Sequence, residues 1–253
     1  MRDKFLSEVA AAGLPSQPEH EAPVGEADLA RLPDPVQRYL RFMGVVGRPR
    51  DWSLRVRFTG GFRLSPKQSF MPCEAWTYDT RLELARIFHM RLRLLGLLPM
   101  RIRDTYIRGA GRMQGRVLDL VNLVDAAGPE LDIGELTTYL NDAILMAPSL
   151  VLGAGTRWTF VDQSSFDVTL SDRGHVVTAR VSIDSRGAPL SFSTTDRFCQ
   201  DPDRPKGPMI RTQWTTPVEG WQVVEGRPLP VRNGLGRVEV FKHPAHVQIK
   251  AQK

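Results

Sequence analysis

The sequence predicts a mainly β (α+β) fold: a large curved antiparallel sheet, or half-barrel, wrapped around a central helix, with short helices at the N-terminus. Three observations support this prediction. Apolar and polar residues alternate in many runs between Trp52 and Ile249, which is the period-2 pattern of half-buried strands. Turn residues separate these runs about every ten residues, as in an antiparallel meander. A single strong helical pattern, residues 132–147, interrupts the strands.

The N-terminal segment predicts a short helix followed by a linker. Residues 3–12 place four apolar side chains on one helical face, and Gly13 ends the pattern. Residues 14–28, rich in Pro and Glu, are typical of a linker. We therefore predict that residues 1–31 form an N-terminal helix and linker, and that residues 32–253 form a single half-barrel domain.

The half-barrel domain is predicted to open with a second helix and to continue as strands. Asp34 can cap this helix, and Pro35 suits its first position. Clean alternation follows in residues 52–59 and again in residues 88–94. Residues 117–124 are apolar on both faces, so we expect a strand there that is covered on both sides. The last strands are expected near residues 209–216, 220–225, 236–243 and 246–250.

The central helix is predicted over residues 132–147. Asp132 and Glu135 form an Asp-x-x-Glu capping box at the positive end of the helix dipole, and Pro148 ends the helix. Its apolar side chains recur at the spacing of one helical face: Leu136, Tyr139, Leu140, Ala143 and Ile144. Because this face needs a cover, we expect it to pack into the concave side of the sheet. Space that it leaves unfilled would form a cavity with apolar and aromatic walls.

Composition limits the classes of protein to which the chain can belong. Of its 253 residues, 42% are hydrophobic, which is enough for a sizeable core. The N-terminus lacks the apolar core of a signal peptide, and no stretch approaches the roughly 18–20 apolar residues of a membrane span. Two cysteines are too few for a disulfide framework, so a reducing compartment is expected. We therefore predict a cytoplasmic protein.

Motifs for metal, nucleotide or nucleic-acid binding are weak or missing in the sequence. His243 and His246 have the spacing of zinc ligands, but Pro244 prevents a regular helix and no third ligand is near in sequence. The segment 109–111, Gly-Ala-Gly, follows a strand but precedes no predicted helix, so it does not fit a dinucleotide site. The aromatic motifs that accompany basic residues in RNA-binding sheets are also missing. We therefore predict no metal, no cofactor and no nucleic-acid partner.

Four blocks of sequence, in their order and spacing, resemble an uncharacterised bacterial protein family of unknown function. They are LPDPVQRYL at residues 32–40, YIRGAGRM at 106–113, VDAAGPELDIGELTTYL at 124–140 and WQVVEGRPLPVRNGLGRVEVF at 221–241. In layout the chain is also similar to the half-barrel fold of lipoprotein carriers and mycobacterial lipid-binding lipoproteins. The resemblance implies a curved sheet and a hydrophobic ligand, and it implies no catalytic residues.

The leading hypothesis is the binding of a hydrophobic or amphipathic, lipid-like small molecule in a cavity between the curved sheet and the central helix. Aromatic and flexible apolar side chains are the candidate ligand contacts: Trp76, Tyr106, Met113, Tyr139, Trp158, Phe192 and Trp214.

A basic segment predicts contact with anions. From Arg86 to Arg116 the chain holds eight Arg residues and one acid, Asp104. Guanidinium groups bind carboxylates and phosphates through paired hydrogen bonds. The candidate anion-binding residues are Arg91, Arg93, Arg101 and Arg103, and peripheral contact with an anionic membrane is a further expectation. The competing interpretation is a solvated outer face of the sheet.

The alternative hypothesis is a cofactor-free isomerase or cyclase that acts on a hydrophobic substrate in the same cavity. Such an enzyme needs a shaped pocket and one or two groups that exchange protons with the substrate. Tyr106, Asp125 and Glu130 are the candidate catalytic residues, because a carboxyl group near apolar walls acquires a raised pKa. A carboxylate that points into the cavity would favour catalysis, and purely apolar walls would favour binding.

Overall fold

Strands dominate the described part of the chain in the computed structural model, and they form two antiparallel sheets around a central helix. One sheet is strongly curled into a half-barrel, which confirms the predicted fold class. The structure describes residues 2–15, 21–63, 69–94, 96–200, 207–224, 226–233, 236–243 and 246–250. Within these residues, no helix combines the length and the apolar character needed to cross a bilayer.

Three helices precede the strands: α1 (Arg2–Ala11), α2 (Glu26–Leu29) and α3 (Asp34–Phe42). The helix α2 overlaps the end of the linker predicted over residues 14–28, so that prediction is wrong at residues 26–28. This short helix forms because Leu29 is fully buried and the Asp28 carboxylate accepts a hydrogen bond of 2.7 Å from the Gly25 N–H. In α3, Asp34 is the first helical residue, and Pro33 precedes the helix in place of a side-chain cap.

Fourteen strands are present among the described residues. Before the central helix come β1 (Ser53–Phe62), β2 (Met71–Thr80), β3 (Ala85–Leu94), β4 (Leu98–Ile107), β5 (Ala110–Val117) and β6 (Val121–Ala127). After it come β7 (Thr156–Asp162), β8 (Ser165–Asp172), β9 (His175–Ile183), β10 (Pro189–Gln200), β11 (Met209–Val224), β12 (Arg227–Asn233), β13 (Gly236–His243) and β14 (His246–Lys250).

The strand order is β6-β5-β4-β3-β2-β1-β14-β13-β12-β11-β10-β9-β8-β7. Neighbouring strands are antiparallel except for β1 and β14, which run parallel. The long strand β11 joins the two sheets, because residues 209–217 pair with β10 and residues 218–224 pair with β12. The two strands predicted near 209–216 and 220–225 are therefore one continuous strand.

The central helix α4 (Pro129–Met146) is buried on nearly all sides, and a 3-10 turn at Pro148–Val151 follows it. It contacts β2 to β6 in one part of the sheet order and β9, β10 and β12 in the other. Of its 18 residues, 13 are buried. The sequence predicts one apolar stripe, whereas the structure covers the helix from both sheets, so polar side chains outside the stripe are buried as well.

The start of α4 differs from the predicted capping box. The helix begins at Pro129, and Gly128 precedes it with a φ of 127°, in the left-handed region that favours glycine. Asp132 lies in the first turn of the helix, and its Oδ1 accepts a hydrogen bond of 2.6 Å from the Gly111 N–H on β5. Asp132 therefore ties the helix to the sheet.

Residues 117–124 form a hairpin, so the prediction of one strand covered on both sides is wrong. The strand β5 ends at Val117, the chain turns, and β6 begins at Val121. Because β6 is the last strand of the sheet order and only part of it touches α4, side chains here remain exposed. Leu118, Leu120 and Leu123 are all exposed.

The helix α1 covers the outer face of the sheet, away from α4. Phe5 and Val9 of α1 pack on three outward side chains of β2 and β3: Trp76, Tyr78 and Ile87. The Glu8 carboxylate accepts hydrogen bonds of 2.7 Å from His89 and from Arg103. Burial raises the pKa of Glu8, but these two partners outweigh it and lower the pKa to about 2. The predicted helix over residues 3–12 is thus confirmed, and it packs against the sheet.

Candidate functional site

A cavity of about 930 Å³ lies at the ends of β2, β3 and β4, and we call it the end cavity. Its apolar wall is formed by Phe70, Met71, Leu92, Leu94 and Met100. Four charged side chains also line it: Glu74, Arg91, Arg93 and Arg101. None of its lining residues belongs to α4, so this cavity does not lie between the sheet and the central helix, where the sequence predicts one.

Strand pairing places the apolar and the charged side chains of the end cavity in two adjacent rows. Leu92 on β3 pairs with Cys73 on β2 and with Met100 on β4. The next row is Glu74, Arg91, Arg101 and Arg116 on β2 to β5. Successive residues of a strand point to opposite faces, so the two rows lie on opposite faces of the sheet. Residues of both rows line the cavity because it lies where the strands end.

Most of the predicted anion-binding arginines are already paired within the chain. Arg91 forms an ion pair with Glu74, and Arg101 lies 2.6 Å from Asp119. Arg103 donates to Glu8 at 2.7 Å, so its anion is a carboxylate of the chain's own helix α1. Arg93 is exposed and has no ion-pair partner among the described residues. Among the described residues, it is therefore the guanidinium group at the end cavity that is available to an external anion.

The seven predicted ligand contacts do not line the end cavity. Trp76 packs beneath α1 on the outer face of the sheet. Its neighbour in β2, Ala75, faces the main core, and successive residues of a strand point to opposite faces. Tyr106 is fully buried, and its hydroxyl donates a hydrogen bond of 2.7 Å to Asp172. Met113 is half-buried and stands opposite Asp104 in the pairing of β4 with β5.

The other four predicted contacts belong to the main core. Tyr139 and Phe192 are fully buried, and Phe192 packs edge-on against Trp214 with ring centroids 5.9 Å apart. Trp158 is half-buried beside Tyr39, at 6.3 Å between ring centroids. The aromatic side chains that the sequence assigns to a ligand therefore pack against one another and against the sheets.

The candidate catalytic residues are dispersed, and none of them lines the end cavity. Asp125 is exposed, and hydrogen bonds from Arg112 and Gln114 lower its pKa to about 2. It is thus a carboxylate at neutral pH and a weak base. Glu130 lies in the first turn of α4. Burial and the hydrogen bond to Asp172 raise the pKa of Tyr106 well above its usual value, so its hydroxyl stays protonated.

A group of buried charges between α4 and the sheet is the polar feature that sequence reasoning missed. We call it the α4 charge cluster, and its members are Asp79, Arg86, Asp104, Glu135 and Asp142. Arg86 Nε donates to Asp142 Oδ2 at 3.0 Å, and Arg86 Nη1 donates to Glu135 Oε2 at 3.0 Å. Asp79 Oδ1 lies 4.0 Å from Arg86 Nε. All five side chains are buried.

The strand pattern contains a signal for this cluster. Arg86 has the same phase in β3 as Phe88, Met90 and Leu92, which face the core. In β4, Asp104 likewise has the phase of core residues. A charged side chain in the apolar phase of a strand needs a buried partner. In sequence Glu135 fits a helix-capping box, so the sequence alone does not identify it as that partner.

Burial sets the protonation of the cluster. It raises the pKa of Asp79 and of Asp142, and Arg86 opposes that shift in both. Burial and the nearby Glu135 raise the pKa of Asp104 to about 8. Burial alone would lower the pKa of Arg86, but its carboxylate neighbours outweigh it and raise that pKa. At neutral pH, Asp104 is therefore mostly protonated, and Arg86 carries its charge.

Several polar atoms around the cluster have no hydrogen-bond partner in the described part of the chain: Asp79 Oδ2, Asp104 Oδ1, Glu135 Oε1, Tyr139 OH and Asn141 Oδ1. Even so, no three His, Cys, Asp or Glu side chains of that part are arranged to hold a metal ion. The side chains of His243 and His246 lie outside the description. Since no cluster residue lines the end cavity, the arrangement can store protons and anchor α4, but it does not meet a ligand there.

Asp104→Asn is expected to make the protein less sensitive to alkaline pH. The folded-state pKa of about 8 exceeds the unfolded value of 3.8, so the native chain loses stability as the pH rises from about 4 to about 8. The amide cannot ionise and escapes this loss. Urea unfolding should show the variant about 1–3 kcal/mol more stable than the native chain at about pH 9, which is the cost of an unpaired buried group. The two should be similar at about pH 4, and equal slopes against pH would contradict the assignment.

Comparison with known proteins places the chain in an uncharacterised group. A family model described as "Family of unknown function (DUF6544)" matches residues 22–238. No curated protein matches the chain, and no solved structure matches it either. The expectation of an uncharacterised family is therefore confirmed.

Proposed function

Because the chain belongs to the family of unknown function DUF6544, we propose its function from its own geometry: it binds an amphipathic molecule with an anionic head, such as a fatty acid, in the end cavity. The apolar chain of the ligand would contact Leu92, Leu94 and Met100, and its carboxylate would pass around the strand ends to pair with Arg93, which points to the opposite face of β3. The proposed ligand is still the hydrophobic, lipid-like molecule expected from the sequence, but its proposed binding site is at the strand ends and not between the sheet and α4.

The observation that carries the proposal is that one cavity has both an apolar wall and a guanidinium group without an ion-pair partner among the described residues. A volume of about 930 Å³ falls at the upper end of the range of small-molecule sites, which is roughly 300–1,000 Å³. Such sites are mostly apolar and hold a few polar groups that orient the ligand. Arg91 and Arg101 are engaged by acids of the chain, so Arg93 is the group best placed for orientation.

The lining of the cavity supports binding over catalysis. Glu74 is the one carboxylate among the described lining residues, and it is held by Arg57 at 2.5 Å and by Arg91. A general base needs a free carboxylate or imidazole within reach of the substrate. No such group is found among those residues, and Asp125 lies elsewhere on the surface.

The proposal has two further parts: the protein carries a lipid-like molecule as half-barrel lipid carriers do, and it is located in the cytoplasm. The curled sheet supports the first, because a curved antiparallel sheet is the feature in which the chain resembles those carriers. Two free cysteines, Cys73 and Cys199, support the second, since unpaired thiols persist in a reducing compartment.

Protection of Cys73 provides a direct test, because Cys73 lines the end cavity. In a Cys199→Ser background, the rate of maleimide alkylation at Cys73 is measured with and without palmitate. Burial raises the pKa of the Cys73 thiol, so the reaction is run at mildly alkaline pH. At a palmitate concentration about ten times Kd, alkylation should slow about tenfold. An unchanged rate at saturating palmitate would refute the proposed function.

Arg93→Gln is expected to weaken palmitate binding about fivefold, which corresponds to about 1 kcal/mol for an exposed ion pair. Binding of hexadecanol, which has the same chain without the carboxylate, should be unchanged. Arg157→Gln is the matched control, because Arg157 is exposed on β7 and does not line the cavity. Equal losses for the acid and the alcohol would show that Arg93 does not bind the head group.

A further inference from the structure

Exposed apolar side chains gather on two hairpin tips beside the end cavity. The β3–β4 tip carries Leu97 and Leu98, and the β5–β6 tip carries Leu118, Leu120 and Val121. We call these five residues the tip surface. Leu97 is 79% exposed and Leu120 is 83% exposed. A leucine this exposed gains little of the free energy that burial contributes to folding. Five exposed apolar residues at one end of the sheet therefore indicate an interaction surface.

The two tips lie next to each other and next to the cavity. The Leu118 N–H donates a hydrogen bond of 2.9 Å to the Pro99 carbonyl, which joins the tips directly. Met100 pairs with Val117 where the two hairpins leave the sheet. The β3–β4 hairpin also supplies Leu94, Gly96 and Pro99 to the cavity lining. The tip surface therefore lies beside the cavity.

Two residues of the β5–β6 tip have a backbone conformation that is unfavourable for their side chains. Leu118 has a φ of 55° and Asp119 a φ of 58°, in the left-handed region that turns usually fill with Asn or Gly. A leucine there is neither the preferred turn residue nor part of the core. A strained position that keeps an exposed apolar side chain points to use at the surface.

Positive charge accompanies the tip surface. Arg93 and Arg116 are exposed, and neither has an ion-pair partner among the described residues. The acid of the tip, Asp119, is neutralised by Arg101 at 2.6 Å and by Lys4 at 3.5 Å. The surroundings of the leucines are therefore cationic, which complements an anionic surface.

We propose that the tip surface docks on anionic lipid bilayers, with its leucines among the lipid chains and the neighbouring arginines at the phosphates. Exposed leucines with arginines beside them match the interface of a bilayer, where acyl chains lie directly below charged head groups. This inference rests on the proposed function, because docking would bring the end cavity to a membrane that holds amphipathic molecules.

The test is sedimentation of the full chain with lipid vesicles. The vesicles are phosphatidylcholine alone or phosphatidylcholine with about 30% phosphatidylglycerol. The native chain should bind the anionic vesicles, and about 0.5 M NaCl should weaken that binding. The double variant Leu97→Ser/Leu120→Ser should bind at least about tenfold more weakly. The matched control is Val176→Ser/Val223→Ser, which changes two exposed apolar residues elsewhere and should stay within about twofold of the native chain.

Several outcomes would overturn docking: no binding of the native chain, equal binding of both double variants, or binding equal on neutral and anionic vesicles. Self-association that is lost in Leu97→Ser/Leu120→Ser would assign the surface to a second copy of the chain and would also overturn it. Cys73 protection by palmitate without vesicles separates the two proposals. Protection without vesicle binding refutes docking alone, and vesicle binding without protection refutes the proposed function alone.

Discussion

Replacing Arg86 with methionine is expected to lower the free energy of unfolding by about 3–5 kcal/mol at neutral pH. Arg86 is 3% exposed and bonded to Asp142 and Glu135, so the change leaves buried carboxylates without their cation. Methionine has a similar length and fills most of the space, so the loss reflects charge more than packing. Urea unfolding followed by circular dichroism measures it.

The dependence of this loss on pH separates charge from packing. Burial already raises the pKa values of Asp79, Asp104 and Asp142 in the native chain, and loss of Arg86 would raise them further. Asp104 is already mostly protonated at neutral pH, so it is Asp79 and Asp142 that take up protons in the folded variant as the pH falls below neutral, and the uncompensated charge then diminishes. The deficit of Arg86→Met should therefore shrink at low pH. A deficit that is constant with pH would assign it to packing alone.

Arg157→Met provides the control for this experiment. Arg157 is exposed on β7, so its replacement should change the free energy of unfolding by no more than about 0.5 kcal/mol. If Arg86→Met behaves in the same way, the α4 charge cluster does not anchor the helix.

Gly111→Ala is expected to destabilise the protein by about 3 kcal/mol or more, at the upper end of the cost of overpacking. A Cβ at this position would stand 2.2 Å from the carbonyl oxygen of Leu131 in α4. The neighbour is backbone and cannot rotate away. The new methyl group would therefore push the helix from β5 and stretch the hydrogen bond from the Gly111 N–H to Asp132.

Gly134→Ala is the matched control, because it adds a methyl group on the helix side. There the nearest atom is the end of the Arg197 side chain at 3.3 Å, which can move. Alanine also favours a helix interior over glycine by about 1 kcal/mol. Thermal unfolding should therefore show a large drop in Tm for Gly111→Ala and little or none for Gly134→Ala. Equal Tm values would mean that α4 is not held close to β5.

Local patterns in the amino-acid sequence predict most of the fold. Alternation at period 2 indicates the strands, and the spacing of Leu136, Tyr139 and Leu140 indicates the helix that they enclose. Both patterns depend on the geometry of a single element, so they can be recognised without its neighbours. The errors fall where partners matter. Residues 117–124 look covered in sequence, yet they form a hairpin whose turn is exposed, because β6 is the last strand of the sheet in the described part of the chain.

The candidate site depends on contacts between distant parts of the chain. Arg91, Arg93 and Arg101 are visible in sequence as a basic run, but only strand pairing sets them beside the apolar row that ends at the cavity. The ion pairs that leave Arg93 free join residues from different strands and from α1. Apart from Trp76, which packs beneath α1, the aromatic candidates pack into the main core, because burial of large rings is favourable.

Residue type and spacing thus determine which elements form and which of their faces are apolar, because those properties arise within about one turn or one strand. The tertiary structure decides the rest: that α4 is covered from both sides, that Arg86 is its buried counter-ion, and that the cavity lies at the strand ends beside two leucine tips. These features depend on which distant surfaces meet, and the free energy of burial and charge pairing is set only when they do.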